Sequence, residues 1–390
     1  MSDPPGGSDR GTANHQINLI LHNYTEQSRL NISSSLTFIK MSHPPTLIFI
    51  PGSWHKPTCY NKVSKSLQDQ HHLKCIAITL PSTTGTPAAT FKDDIDAARD
   101  AISAETTHGR NVVLLAHSYG GMVGNSAIKG FTCPKNTDDH SRPNQGSVIG
   151  LILIASGFTF TGLAFMDPFF GHPPPFWRVN AETGFAEITA DPRELFYHDL
   201  PAEEGEYWES QLTSQSLRSL FEGGEYSYSG WLDVPVWYIG TVEDRGLPVV
   251  VQRMQMGMGR AMGADVVHRE LRTSHSPFLS QPDETVGIIL EAVEAFCIKA
   301  GGVELVAGAR GGDSDAVAVV EASLWQPETW FKYGIPLALG NAINVFSCSP
   351  GGGGYGGHVD RANEPSLIIT TIIRYNPQIY CIVQVDLARL

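Results

Sequence analysis

Asn111-Val112-Val113-Leu114-Leu115-Ala116-His117-Ser118-Tyr119-Gly120-Gly121 is the stretch of this 390-residue chain on which the fold turns. Val112 to Leu115 is the aliphatic, β-branched run expected of a strand buried on both faces of a parallel sheet. From Met122 to Ile128 the apolar residues resume at helical spacing. Ser118 therefore falls on a strand-to-helix turn. The serine backbone is strained there and the next helix passes close by, so the turn needs small neighbours, which Ala116, Gly120 and Gly121 supply. This is the pattern of a nucleophile elbow, with Ala116 where a first glycine usually stands. Such pentapeptides also arise by chance, so the meaning of Ser118 depends on partners further along the chain.

Outward from this stretch, strands alternate with helices. Apolar runs at Leu47–Ile50, Cys75–Leu80, Val112–Leu115 and Val148–Ala155 read as strands, and Ile95, Ala98 and Ile102 share one face of a crossover helix over Asp93–Ile102. The alternation returns with a strand at Val234–Ile239, a helix over Val249–Met262, a strand at Val266–Leu271 and a closing helix over Asp283–Phe296. Together these predict an α/β fold: a mostly parallel, doubly wound sheet over residues 44–298. Residues 158–231 interrupt it between the fourth and fifth core strands as an aromatic-rich insertion, expected to form a small core of its own and an apolar lid. Residues 1–43 read as a polar, poorly ordered extension. Residues 299–390 read as a Gly-rich extension in which short apolar pieces, Leu367–Ile373 and Ile379–Val385, show no periodicity long enough to anchor a fold.

The totals exclude several classes of function. A formal charge of −13, with no Lys/Arg cluster, argues against a nucleic-acid partner. The six cysteines are scattered without Cys-x-x-Cys pairs, which indicates neither a metal site nor a disulfide framework. No apolar run approaches the roughly 18 residues of a membrane span, and the N-terminus lacks the pattern of a signal peptide. The expectation is a cytoplasmic protein with no cofactor, no metal, no membrane contact and a small hydrophobic molecule as its partner. Its oligomeric state stays open.

Serine is a poor nucleophile at neutral pH and needs a histidine to take its proton and a carboxylate to orient that histidine. The strand ending at Ile239 runs into Gly240-Thr241-Val242-Glu243-Asp244, which puts two carboxylates at the carboxyl edge of the sheet. Asp244, four residues before Pro248 and the next helix, suits an inward-pointing loop carboxylate better than Glu243. The last strand runs into Arg272-Thr273-Ser274-His275-Ser276-Pro277-Phe278, which nominates His275 as general base. His268 lies within the strand, and His117 is held by the elbow beside its own neighbour's hydroxyl. For the developing oxyanion, Pro51-Gly52-Ser53-Trp54-His55 follows the first strand directly; Tyr119 is expected to give one backbone N–H, and Ser53 or Trp54 the other. Phe158, Phe176, Trp177 and Phe196 are the insertion aromatics expected to line the substrate site.

The order Ser118, Asp244, His275, together with the Pro51–Trp54 loop and the insertion, resembles the α/β-hydrolase superfamily. Within it the chain is similar to the compact serine esterase group that includes plant methyl esterases, hydroxynitrile lyases and related microbial and fungal hydrolases. Phe196-Tyr197-His198-Asp199-Leu200-Pro201 and Ser274-His275-Ser276-Pro277-Phe278 are its more particular echoes. The chain departs from the group at Pro51, where histidine is usual, and at Ala116. The resemblance implies a serine hydrolase that cleaves an ester, thioester or lactone through an acyl-enzyme. The alternatives are a hydroxynitrile-lyase-like reaction, for which the insertion offers no obvious lysine, and a ligand receptor on the same fold. Epoxide hydrolases and haloalkane dehalogenases carry an aspartate at the elbow, and Ser118 argues against both.

Overall fold

The computed structural model describes residues 44–133, 145–301, 368–376 and 379–386. Strands β1 (Thr46–Ile50), β2 (Cys75–Ala77), β3 (Val112–His117) and β4 (Val148–Ile154) alternate with helices α1 (Asn61–His71), α2 (Phe91–Thr106) and α3 (Gly120–Ala127). The insertion contributes a hairpin, β5 (Trp177–Asn180) and β6 (Phe185–Ile188), then α4 (Pro192–Phe196), α5 (Ala202–Ser210) and α6 (Leu217–Phe221). The chain then returns to the main sheet through β7 (Val236–Thr241), α7 (Val249–Ala261), β8 (Val266–Leu271), α8 (Pro277–Ser280) and α9 (Pro282–Lys299).

The main sheet has the order β2-β1-β3-β4-β7-β8, with every pair parallel. From β1 the chain steps outward to β2 and returns to pair β3 on the other side of β1. The carboxyl ends of β1 and β3 therefore flank a topological switch point, where open α/β sheets form their ligand crevices. All residues of β1, β3 and β4 are buried, which explains their nearly continuous apolar sequences. Helix α2 opens with a reciprocal capping box between Thr90 and Asp93, so it begins at Phe91, ahead of the expected Asp93. Helix α9 lies so close to β4 that a Cβ on Gly150 would come within 2.2 Å of the Phe296 ring.

Two further expectations need correcting. β2 ends at Ala77, short of Leu80: Ile78 makes one more bond to the Phe49 carbonyl, and Pro81 then opens a short 3-10 turn. Several insertion aromatics are not core residues: Phe169, Phe170, Tyr207 and Tyr226 are exposed, while Trp177, Phe196, Tyr197 and Trp231 are buried. The expected N-terminal extension lies outside the described residues. In the C-terminal region, β9 (Ile368–Asn376) and β10 (Ile379–Asp386) pair antiparallel on the two short apolar pieces, where the sequence shows no periodicity. Among the described residues no helix is long and apolar enough to cross a membrane.

Candidate active site

Ser118 follows the last residue of β3 with φ +51°, a left-handed conformation that an L-residue adopts at a cost of about 1–2 kcal/mol. The surroundings hold it there. Its N–H donates to the Ile154 carbonyl at 3.1 Å and its carbonyl accepts from Ser156 Oγ at 2.6 Å. A Cβ on Gly120 would sit 2.4 Å from the Pro51 carbonyl oxygen, and one on Gly121 would sit 1.9 Å from Ser156 Oγ. Gly120 is required by the close approach of the β1-end backbone, and Gly121 by the Ser156 side chain packed against it. Ala116 is tolerated because residue 124 is a glycine whose added Cβ would already be 3.2 Å from the Ala116 methyl.

His275 and Asp244 meet. His275 Nδ1 lies 2.7 Å from Asp244 Oδ2, with both side chains buried. The Asp244 carboxylate also accepts from Thr241 Oγ1 at 2.7 Å, from the Gly246 and Leu247 N–H groups at 2.8 Å, and from Gln252 Nε2 at 3.3 Å. Burial alone raises its pKa, but the His275 ring and these donors outweigh burial and hold the carboxyl below its ordinary value. Nδ1 faces a carboxylate and carries the ring proton, which leaves Nε2 as the basic nitrogen. Glu243 instead turns outward to Arg272, 2.6 Å away. His268 pairs within the sheet with Glu270.

His117 lies between the elbow and the His275 loop. Its Nε2 donates to the His275 carbonyl at 2.9 Å, and the two rings are 4.6 Å apart. Burial, then the neighbouring His275 and His55, keep His117 neutral by lowering its pKa well below the ordinary value. A Cβ on Gly52 would meet His117 Nδ1 at 2.9 Å and Ser118 Cβ at 3.0 Å, so the loop after β1 presses directly on the elbow. Ser118 Oγ makes no hydrogen bond to His275 among the described residues. Catalytic bonds of this kind are commonly long before substrate binds.

The loop after β1 is a turn closed by His55 N–H donating to the Gly52 carbonyl at 3.3 Å. Trp54 has φ +61°, so Ser53 and Trp54 take the sign pattern of a type II turn, whose third position glycine normally fills. The backbone N–H groups of Ser53, Trp54 and Tyr119 donate to no protein acceptor among the described residues. The Tyr119 hydroxyl donates to buried Asp94 at 2.7 Å. Burial raises Asp94 to about 6 against the opposing bonds from Ser82 and Tyr119. Asp94 is a carboxylate that the sequence reading passed over, although its spacing with Phe91, Ile95 and Ala98 puts it on the buried stripe of α2.

Of the four insertion aromatics, Phe196 and Trp177 reach this region. Phe196 packs on His275 (5.6 Å), His55 (5.3 Å) and Trp54 (6.3 Å), and Trp177 packs on Trp54 (6.3 Å). Phe158 instead meets Trp231 edge-to-face and stacks with Tyr238, beside Gly259, and its ring contacts among the described residues include no member of the Ser118, Asp244 and His275 set. Phe176 is half-buried against the core. Phe165, which the sequence reading did not select, stands 5.5 Å from Tyr119. The segments 196–201 and 274–278 are joined: Ser274 donates through its N–H to Asp199 and through Oγ to the Phe196 carbonyl, both at 2.8 Å.

A parallel sheet with a strained serine at its switch point, and a carboxylate–imidazole pair after its last two strands, β7 and β8, defines the class. The profile of the alpha/beta hydrolase family matches residues 47–288, more than half of the chain, which belongs to that family. Over 255 residues the chain is 26% identical to the alpha/beta hydrolase nvfD of Aspergillus novofumigatus, covering 64% of this chain and 96% of the relative. Among solved structures, tomato methylketone synthase I complexed with 2-tridecanone is similar at a TM-score of 0.50 and 14% identity, covering 65% of this chain and 99% of that one. Polyneuridine aldehyde esterase is similar at a TM-score of 0.48 and 19% identity, covering 64% and 99% respectively.

Proposed function

We propose that this hydrolase is a serine esterase that cleaves an ester, thioester or lactone of a small hydrophobic molecule through an acyl-enzyme. The observation that carries the reading is the buried His275–Asp244 pair, set on the loops beside a serine held at φ +51°. Ser118 Oγ attacks the carbonyl carbon while its proton passes to His275 Nε2; the carbonyl π pair moves onto oxygen. The N–H groups of Tyr119 and of Trp54 or Ser53 receive that oxyanion, each such donor contributing on the order of 3 kcal/mol. Collapse of the tetrahedral adduct expels the alcohol, which takes the proton from His275. Water then attacks the acyl-serine, again losing its proton to His275, and the acid leaves with Ser118 restored. Asp244 keeps the ring in the Nδ1–H tautomer and stabilises the imidazolium without itself accepting the proton. Trp54 of the loop after β1, with Trp177 and Phe196 of the insertion, forms an apolar wall, which supports a hydrophobic acyl or alcohol group.

A fluorophosphonate probe tests the reading. One equivalent should label the folded protein at Ser118, with labelling abolished in Ser118→Ala, and a panel of p-nitrophenyl esters, thioesters and lactones should show turnover lost in the same variant. A folded protein that neither labels nor turns over any of the panel overturns the reading and leaves a ligand receptor on this fold.

A further inference from the structure

We infer that His55 is a positioning residue that turns the Ser53–Trp54 peptide toward the reacting carbonyl, and that the insertion governs it through Tyr197; the inference rests on the serine-esterase reading. His55 Nδ1 lies 2.7 Å from the Ser53 carbonyl oxygen, and its Nε2 lies 2.8 Å from the Tyr197 hydroxyl. A carbonyl oxygen accepts and does not donate, so Nδ1 carries the proton. Burial keeps the ring neutral by lowering its pKa to about 4, and Nε2 therefore accepts from the tyrosine. Both ring nitrogens of His55 and the Tyr197 hydroxyl proton are then committed, and both residues are buried.

The consequence follows from turn geometry. Type I and type II turns differ chiefly by a flip of the central peptide, here Ser53–Trp54, and a bulky L-residue in third position favours type I. Trp54 instead has φ +61°. The His55 bond to the Ser53 carbonyl holds the peptide in its flipped state. No peptide in the described chain is cis. In a trans peptide the C=O and N–H point to opposite sides, so anchoring the Ser53 oxygen on His55 aims the Trp54 N–H the other way. The loop beside it lies against Ser118, as the 3.0 Å approach of a Gly52 Cβ to Ser118 Cβ shows. A flip back to type I would exchange the donor for a carbonyl oxygen, which repels an oxyanion.

The insertion holds the other side of the same residue. The Trp54 carbonyl accepts from Thr213 N–H at 2.8 Å and Thr213 Oγ1 at 3.0 Å, and Trp54 Nε1 donates to the Ala186 carbonyl at 3.0 Å. With Tyr197, three separate segments of the insertion hold Trp54 and His55 of this loop: Tyr197 the His55 ring, Thr213 the Trp54 carbonyl and Ala186 the Trp54 indole. Docking of the insertion and formation of the oxyanion site are therefore one event.

The test compares His55→Leu, His55→Asn and Tyr197→Phe with the wild type on a p-nitrophenyl ester that the wild type hydrolyses. The asparagine amide reproduces the Nδ1–H donor, whereas leucine fills space and donates nothing. His55→Leu should lower kcat by about 10²-fold, the usual loss of one oxyanion donor, and leave KM within about twofold. Phenylboronic acid, whose tetrahedral adduct on the serine imitates the transition state, should lose affinity in parallel with kcat. His55→Asn should recover most of kcat, and Tyr197→Phe should fall several-fold in kcat alone. Fluorophosphonate labelling of the wild type at Ser118 tests the underlying reading independently: a wild type that neither labels nor hydrolyses the ester overturns that reading and this inference with it, whereas the outcomes below, in an enzyme that labels, overturn this inference alone. Equal kcat in wild type and His55→Leu, or no recovery by asparagine in a folded variant, overturns the positioning role. Should His55→Leu fail to fold, Tyr197→Phe decides, and wild-type kcat and boronate affinity in that variant overturn the inference.

Discussion

The two halves of the candidate site are built in different ways. Asp244 draws its hydrogen bonds from Thr241, Gly246, Leu247, Gln252 and His275, all within one continuous stretch around β7, α7 and β8. The Ser53–Trp54 turn is held across the molecule, by Tyr197 onto His55 and by Ala186 and Thr213 onto Trp54. The Asp244 carboxylate is thus held by elements of the sheet, and the insertion touches the acid–base half through the Ser274 bonds to Asp199 and Phe196 and the Phe196 ring on His275, whereas the turn proposed to receive the oxyanion takes supports from three segments of the insertion. The difference places two kinds of sensitivity in one site: substitutions near β7 and β8 should strike the chemistry directly, and substitutions in the insertion should act through the orientation of a peptide.

The largest expected effect lies in the sheet-borne half. Asp244→Asn keeps the shape of the side chain but offers an amide where His275 needs an acceptor, and kcat should fall by about 10³- to 10⁴-fold. Glu243→Gln should stay within about twofold, since Glu243 faces Arg272 at the surface. A larger loss in Glu243→Gln, measured on the same ester, would reassign the acid. Next comes the seam between the halves. A Cβ at Gly120 meets the Pro51 and Ile50 carbonyl oxygens at 2.4 and 2.6 Å, both of them backbone atoms that cannot rotate away. Gly120→Ala should cost about 3 kcal/mol or more in urea unfolding, and wild-type stability would show that the elbow and the β1 loop are not tightly apposed.

Much of the sheet-borne half was legible in the sequence because its signals are local. A continuous aliphatic run ends at Ser118, Asp244 follows a strand end within a few residues, and His275 sits on the turn after the last strand. Local signals also place the boundaries of the main-sheet strands and their helices to within a few residues; β2 is the exception, because Cys75–Leu80 is uniformly apolar and only the proline after it marks where pairing stops. The oxyanion half was legible as far as the Pro51–His55 loop. Its supports were not, because Tyr197 and Thr213 meet that loop across 142 and 159 residues of sequence, and nothing periodic links such positions. Exposure was misread for a related reason. Aromatic density in residues 158–231 implies burial on average, yet Phe170 stands 76% exposed on a left-handed turn beside Gly171.

Acid should loosen both halves, with opposing terms. His55 and His117 are neutral in the fold, the first lowered to about 4 and the second well below its ordinary value, chiefly by burial. The unfolded chain takes up protons on both imidazoles from about pH 6.5 downward, so the stability they contribute is complete above that pH and is lost toward pH 4. Asp94 acts in the other direction. Burial raises it to about 6, so the folded state takes up that proton first, and stability from this group grows as pH falls from 6 toward its ordinary range. Two imidazoles outweigh one carboxyl, and the urea midpoint should drop between pH 7 and pH 4.5. In Asp94→Asn the drop should steepen by about 2 kcal/mol, because the opposing term is gone. Parallel curves for the two proteins would mean that Asp94 titrates as an ordinary surface carboxylate.

The smallest expected effect bears most directly on how the insertion holds the loop. Thr213→Val keeps the β-branched shape and the backbone N–H to the Trp54 carbonyl, and deletes only the Oγ1 donor. A single neutral hydrogen bond contributes about 1 kcal/mol, so kcat should fall no more than about fivefold, with KM unchanged. A change in KM without one in kcat would mean that Thr213 shapes the substrate wall and not the peptide. A loss as large as that of Asp244→Asn would mean that the turn reverts to type I once one anchor is removed, leaving His55 insufficient by itself. The modest result is expected because His55 grips the Ser53 carbonyl while the Thr213 N–H keeps the Trp54 carbonyl, so the peptides on both sides of Trp54 stay anchored when Oγ1 alone is lost, and the flipped peptide fails when the histidine goes.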